Sequence, residues 1–228
     1  MAAGSGRITF DGGLAARVGP EGQLLLTDPS AAQIQNARKH AHELGLDWVR
    51  LLQAPVEDLP LASGTVDLVL GSTFLHFTDP AVAIKAMARL VRPGGRVAVH
   101  AIAETVMGDG WQWALEPVRE EPRTRGLSLR ELFASQAELE QAFAGASLQL
   151  DAVVESRETL ATIPSVEIAI GMLRQAGLVA LYLRGVPVER QRAVDALFAG
   201  RLRERFGESG MDWSWGSGWS SLAGHKPQ

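Results

Sequence analysis

Three places in this sequence hold residues whose types could do chemistry. Gly4-Ser5-Gly6 would let backbone lie close against a ligand, because glycine lacks the Cβ that bars such an approach; the same tripeptide also suits a flexible terminus. Asp28 follows the apolar run Leu24-Leu25-Leu26, where a carboxylate can accept hydrogen bonds from both hydroxyls of a ribose. The competing reading of Asp28-Pro29 is a turn that caps the helix after Ser30. His76, between Leu75 and Phe77, is a candidate proton carrier, although a histidine with apolar neighbours is more often a satisfied core group.

Such residues need elements to hold them. Val66, Leu68, Val69 and Leu70 form the short apolar run of a strand buried on both faces. Asp79-Pro80 then supplies an N-cap carboxylate and a first-turn proline, and Ala83, Ala86, Met87, Leu90 and Val91 recur at helical spacing. Arg92-Pro93-Gly94-Gly95 stops that helix, and Arg96 to Val99 starts another strand. Upstream, Gln23 to Thr27 reads as a strand, Ser30 caps a helix with the stripe Ile34, Ala37, Ala41 and Leu44, and Asp47 to Gln53 is the next strand. Strands alternating with helices predict an α/β fold with a parallel sheet. Beyond His100 the expected elements are helices over 128–144, 165–177 and 187–206, a strand over 148–160 with Leu148, Leu150, Ala152 and Val154 on one face, and a last strand over 215–223.

In this order, the glycine loop, Val18-Gly19-Pro20-Glu21-Gly22, Leu24 to Ser30, Val56-Glu57-Asp58-Leu59-Pro60 and Ala86 to Gly95 resemble the class I methyltransferases that use S-adenosylmethionine. The wording is that of the small-molecule branch around ubiquinone and menaquinone biosynthesis. The resemblance implies a Rossmann-like, doubly wound sheet with an antiparallel last strand, and methyl transfer to a small organic acceptor. It implies a cofactor site from Gly4, Ser5, Gly6, Asp28, Pro29, Gln33, Pro55, Val56, Glu57, Gly71 and Ser72. Two of these depart from the family's habit. Pro55 stands where an acid usually holds the adenine amino group, leaving the backbone of Val56, and Gln33 stands where methionine often packs on adenine. His76 is the candidate catalytic residue, and Trp111, Trp113, Trp213, Trp215 and Trp219 are candidates for the acceptor pocket or for packing.

The first strand of that family is mostly missing, since Met1 falls almost on the glycine loop. The chain is expected to be truncated, or completed by another segment or subunit, or poorly folded. We therefore weigh an inactive binding or partner subunit as the alternative to an enzyme. A nicotinamide-dependent oxidoreductase shares the glycine loop and the acid after the second strand, but the third fingerprint glycine is absent and Tyr182 is the single tyrosine.

Bulk properties fit one domain over 1–228, with a cofactor half to residue 100 and an acceptor half after it. A net charge of −4 without a basic block argues against nucleic acid, and no apolar run approaches the ~20 residues of a membrane span. No cysteine is present and no signal peptide is visible, which fits a cytoplasmic protein. The five histidines lack metal-ligand spacing, so no metal is expected, and a homo-oligomer is allowed.

Overall fold

The computed structural model describes residues 2–3, 13–102, 134–162, 165–175, 183, 186–207 and 214–228. Its elements are β1 (Ala2–Ala3), α1 (Leu14–Val18), β2 (Leu25–Asp28), α2 (Ala31–Glu43), β3 (Arg50–Gln53), β4 (Val66–Ser72), α3 (Pro80–Leu90) and β5 (Val91–Ile102). There follow α4 (Gln136–Gly145), β6 (Gln149–Thr162), α5 (Val166–Gln175), α6 (Val188–Phe206) and β7 (Ser214–His225). Two single 3-10 turns, Val56–Asp58 and Leu75–Phe77, interrupt the loops after β3 and β4.

The strands make one seven-stranded sheet in the order β3-β2-β1-β4-β5-β7-β6. The pairs β1 with β2, β1 with β4, β2 with β3, and β4 with β5 are parallel. Beside β5, β7 runs the other way. Lys226 exchanges backbone hydrogen bonds with Gly94 and Gly95 at 2.8 and 2.9 Å, while Ser221 meets His100, so numbers rise on one strand as they fall on the other. The sheet is doubly wound, and the order reverses between β1 and β4. As expected, the first strand is short: Ala2 pairs with Leu26 and Leu70, and Ala3 with Thr27 and Gly71. Those two residues join β2 to β4 at the level of their carboxyl ends.

Local sequence explains the elements that carry the loops. The Asp79 carboxylate accepts the N–H groups of Ala81 and Val82 at 2.8 and 3.1 Å, and Pro80 preorganises the first turn of α3. Its buried face is Ala83, Ile84, Met87, Ala88 and Leu90. Val91, read from sequence as part of that stripe, already belongs to β5. The residues Arg92 to Gly95 bulge opposite Asp67, because pairing passes from Val66–Val91 to Leu68–Arg96. Gly94, at φ 74, permits the turn, and Lys226 reaches back to donate to the Ala88 and Val91 carbonyls, both at 3.3 Å. A cation there complements the carboxyl end of the helix.

Other expectations shift by a residue or two. Leu44 is 49% exposed, since α2 stops at Glu43 and Gly45 turns the chain at φ 68. The third strand begins at Arg50 rather than Asp47, because Val49 N–H closes a turn on the Leu46 carbonyl. On β6, Leu148 is buried just ahead of the strand but Val154 is 56% exposed. On α6 the buried positions are Val194, Phe198, Ala199 and Leu202, while Ala193 and Leu197 face outward.

Contacts divide the chain into two compact units: Met1–Ala101 with Ala134–Glu155 and Ser220–Gln228, and Ile102–Phe133 with Ser156–Trp219. The first holds two apolar clusters. One joins α3, α4 and the strands through Ile84, Met87, Leu90, Val97, Leu139 and Phe143. The other joins α1 and α2 to β2 through Ala15, Leu24, Leu26, Ala37 and Ala41. In the second unit α5 packs on α6, and Arg174 forks onto Asp195 at 2.5 and 3.2 Å.

Candidate functional site

In an open α/β sheet, ligands bind beyond the carboxyl ends of the strands, where the strand order reverses. The register brings the candidate residues to that edge. Ala3 stands level with Thr27 and Gly71, and Gly71 with Val99. One residue further on, Asp28 is paired with Gln53, and Ser72 with His100. Gly4, Ser5 and Gly6 lie outside the described residues, as do Trp111, Trp113 and Trp213. Trp215 and Trp219 lie within β7, of which only the backbone is described there.

Asp28 is half-buried, and its carboxylate accepts the Ser30 N–H at 2.9 Å. The capping turn therefore forms. A carboxylate has about four lone-pair sites, so this bond leaves the ribose role chemically open. Two further bonds fix the spot: Gln53 donates its amide to the Pro29 carbonyl at 3.3 Å, and Ala54 N–H donates to the Asp28 carbonyl at 3.2 Å. Gln33 is exposed, and its N–H completes the Ser30 cap at 3.4 Å.

After β3, Pro55 at φ −69 opens the Val56–Asp58 turn. Val56 is 5% exposed and points into the larger apolar cluster, so it can offer a ligand only backbone. The Glu57 carboxylate accepts the Thr78 hydroxyl, 21 residues away. At the end of β4, a Cβ on Gly71 would stand 2.3 Å from the Phe74 ring and 3.2 Å from the Met87 methyl. Packing of that ring is reason enough for glycine. Ser72 and Thr73 pair their hydroxyls at 3.2 Å, and Thr73 donates its N–H to the His100 carbonyl at 2.8 Å. Thr73 has φ 56, a left-handed conformation costly for a β-branched residue and typical of sites where function fixes the backbone.

His76 sits in the Leu75–Phe77 turn with its ring 4.0 Å from that of Phe77. Burial lowers its pKa to about 4, so the imidazole is neutral at neutral pH. A group so weakly basic is a poor general base there, but it can accept or donate a hydrogen bond.

Gln53, Thr73, Thr78 and His100 belong to this edge and were not read from sequence. Their signal was modest: an apolar strand run ending on a polar residue, repeated at Asp28, Gln53, Ser72 and His100. His100 is half-buried, with Nδ1 2.9 Å from the Ser221 hydroxyl. Among the described residues no group of three or more His, Asp or Glu could hold a metal, and no helix is long and apolar enough to cross a membrane.

Comparison with known proteins agrees with this architecture. Residues 1–99 match the family described as methyltransferase domain. Over 108 residues the chain is 32% identical to the ubiquinone/menaquinone biosynthesis C-methyltransferase UbiE of Idiomarina loihiensis, covering 46% of this chain and 42% of that protein. The chain thus spans less than half the length of that relative. The geranyl diphosphate C-methyltransferase of Streptomyces coelicolor A3(2), solved with Mg2+, geranyl diphosphate and S-adenosyl-L-homocysteine, superposes with a TM-score of 0.56 at 16% identity, covering 99% of this chain and 71% of the other. The YcgJ protein of Bacillus subtilis gives 0.61 at 19% identity, covering 100% and 91%. Residues 1–99 are thus similar to a methyltransferase domain, and the fold is one that solved methyltransferases share. The matched region is similar to the UbiE-type C-methyltransferases.

Proposed function

We propose that this chain transfers a methyl group from S-adenosylmethionine to a small organic acceptor. The observation that carries the reading is the level at which β2, β3 and β4 end: Asp28, the turn at Val56 and Ser72 share the carboxyl edge beside the point where strand order reverses. The donor set suits an adenosine, with a carboxylate for the ribose hydroxyls at Asp28 and first-turn N–H groups at Val56 and Glu57, which a helix's own ladder does not engage. When bound, the cofactor supplies an electrophilic methyl group on a sulfonium.

The chain's residues then bind and align. Asp28 holds the ribose, and the backbone at Val56 holds the adenine edge. Gly71, Ser72 and Thr73 border the amino-acid tail. His76, kept neutral by burial, adds no positive charge against the sulfonium and can orient the acceptor through a hydrogen bond. Alignment of two reactants can itself lower a barrier by roughly 7 to 11 kcal/mol, so no strong base is required. In this reading residues 1–100 hold the cofactor, residues 101–228 the acceptor, and the protein works in the cytoplasm, with a homo-oligomer allowed.

A second reading, an inactive methyltransferase-like binding subunit, draws on Pro55 in the usual place of an acid and on Glu57, already committed to Thr78. Calorimetric titration with S-adenosylhomocysteine separates the two. We expect micromolar binding by the full chain, a loss of roughly tenfold or more in Asp28→Ala, and a smaller loss in Asp28→Asn, which keeps the turn to Ser30. No binding by a demonstrably folded chain would leave the subunit reading in the lead.

A further inference from the structure

Two loops at the carboxyl edge, each holding a single 3-10 turn, ride on α3. Val56 and Leu59 from the loop after β3, and Leu75 from the loop after β4, are buried in the same cluster as Ala83, Ile84 and Met87. Apolar packing fixes how deep each loop sits but is poor at fixing direction, because it is non-directional. A directional contact between the two is the hydrogen bond in which the half-buried Glu57 carboxylate accepts the Thr78 hydroxyl. Arg89 of α3 also donates to the Leu59 and Leu61 carbonyls of the first loop, at 3.0 and 2.7 Å. The two ends of the Glu57–Thr78 bond are well placed. Glu57 lies within the Val56–Asp58 turn, and Thr78 closes the turn that carries His76 and directly precedes the Asp79 cap of α3.

We propose that Glu57 and Thr78 are a positioning pair: they set the separation of the Val56 and His76 turns, and so the width of the cleft that receives the cofactor. The inference rests on the methyltransferase reading above and changes one assignment within it. Glu57, expected from sequence to touch the cofactor, acts through Thr78 instead. A carboxylate with a hydroxyl partner inside the protein has its desolvation offset there, and removing the hydroxyl leaves it seeking water. The turn at Glu57 would then open toward solvent.

The test compares wild type, Thr78→Val and Thr78→Ser by titration with S-adenosylhomocysteine and by amide hydrogen exchange of the cofactor-free chain. We expect Thr78→Val to bind roughly tenfold more weakly and to exchange faster at residues 55–58 and 75–78 together, with α4 unchanged. Thr78→Ser, which restores the hydroxyl, should return both readouts to within about twofold of wild type. Faster exchange at one turn only, or Thr78→Val binding like wild type, overturns the pair while leaving the methyltransferase reading intact. A folded wild type that binds nothing overturns that reading, and the positioning role with it, whatever the exchange shows.

Discussion

The two apolar clusters of the first unit hold their loops by different means. Beneath α3 and α4 lie large side chains, Ile84, Met87, Leu90, Leu139 and Phe143, all fully buried. Beneath α1 and α2 the large residues are Leu24 and Leu26, and the helices contribute Ala15, Ala37 and Ala41. The turns at Val56 and Leu75 are anchored in the first cluster by burial. The end of β2 is instead laced by polar bonds: Asp28 to Ser30, Gln53 to Pro29, Ala54 to Asp28. One side of the carboxyl edge is therefore set by packing, the other by hydrogen bonds. Packing tolerates salt and pH but not lost volume, whereas hydrogen bonds to exposed groups are individually small.

That contrast can be broken at its strong end. Phe143→Ala empties the centre of the larger cluster and should cost about 3–5 kcal/mol, read as a lowered midpoint in urea unfolding. If the loss is below ~1 kcal/mol, the packed side is not what holds the α3 turns. A pH series sharpens the comparison at intermediate size. The folded His76 has its pKa lowered to about 4 from 6.5, so the unfolded chain binds the proton more readily. Its contribution is whole above the unfolded value and is lost as pH falls from about 6.5 toward 4, by roughly 1–2 kcal/mol at pH 5. His76→Gln should flatten that part of the stability profile. Smallest are the helix caps. Asp79→Ala, which strips two N–H groups of their partner, should cost about 1 kcal/mol, and Ser30→Ala, with one long bond, about half of that. Equal losses at the two caps would show that the β2 side leans on its polar bonds no less than α3 does on its own.

How much of this was legible in the sequence depended on whether a feature has a period or a partner. The unit from Val66 to Val99 could be read residue by residue, because its strand run, its Asp79-Pro80 cap and its helical stripe are local patterns. The two 3-10 turns could not, since three residues carry no period. The Arg92–Gly95 bulge was hidden because Pro-Gly reads as a turn, while pairing already begins at Val91 and resumes at Arg96. Its anchor, the bond from Arg92 to Asp67 at 2.7 Å that lowers the aspartate's pKa, joins residues 25 apart. Glu57 shows the same limit at the site. Its type and place suggested a ligand contact, and only the fold brings Thr78 to it. Where the motif was strongest, at Asp28, sequence offered a turn or a ribose contact, and the fold shows the turn to Ser30.

The sheet order has a consequence in time. β7 lies between β5 and β6, yet it is the last of the three to be synthesised. Until β7 is made, β5 and β6 stand with the space between them empty, each presenting an edge to which a foreign strand could add. Lys226 then arrives to cap a helix whose carbonyl it meets across 138 positions. Chains are therefore most exposed to misassociation before β7 is in place, because that strand closes the gap between β5 and β6.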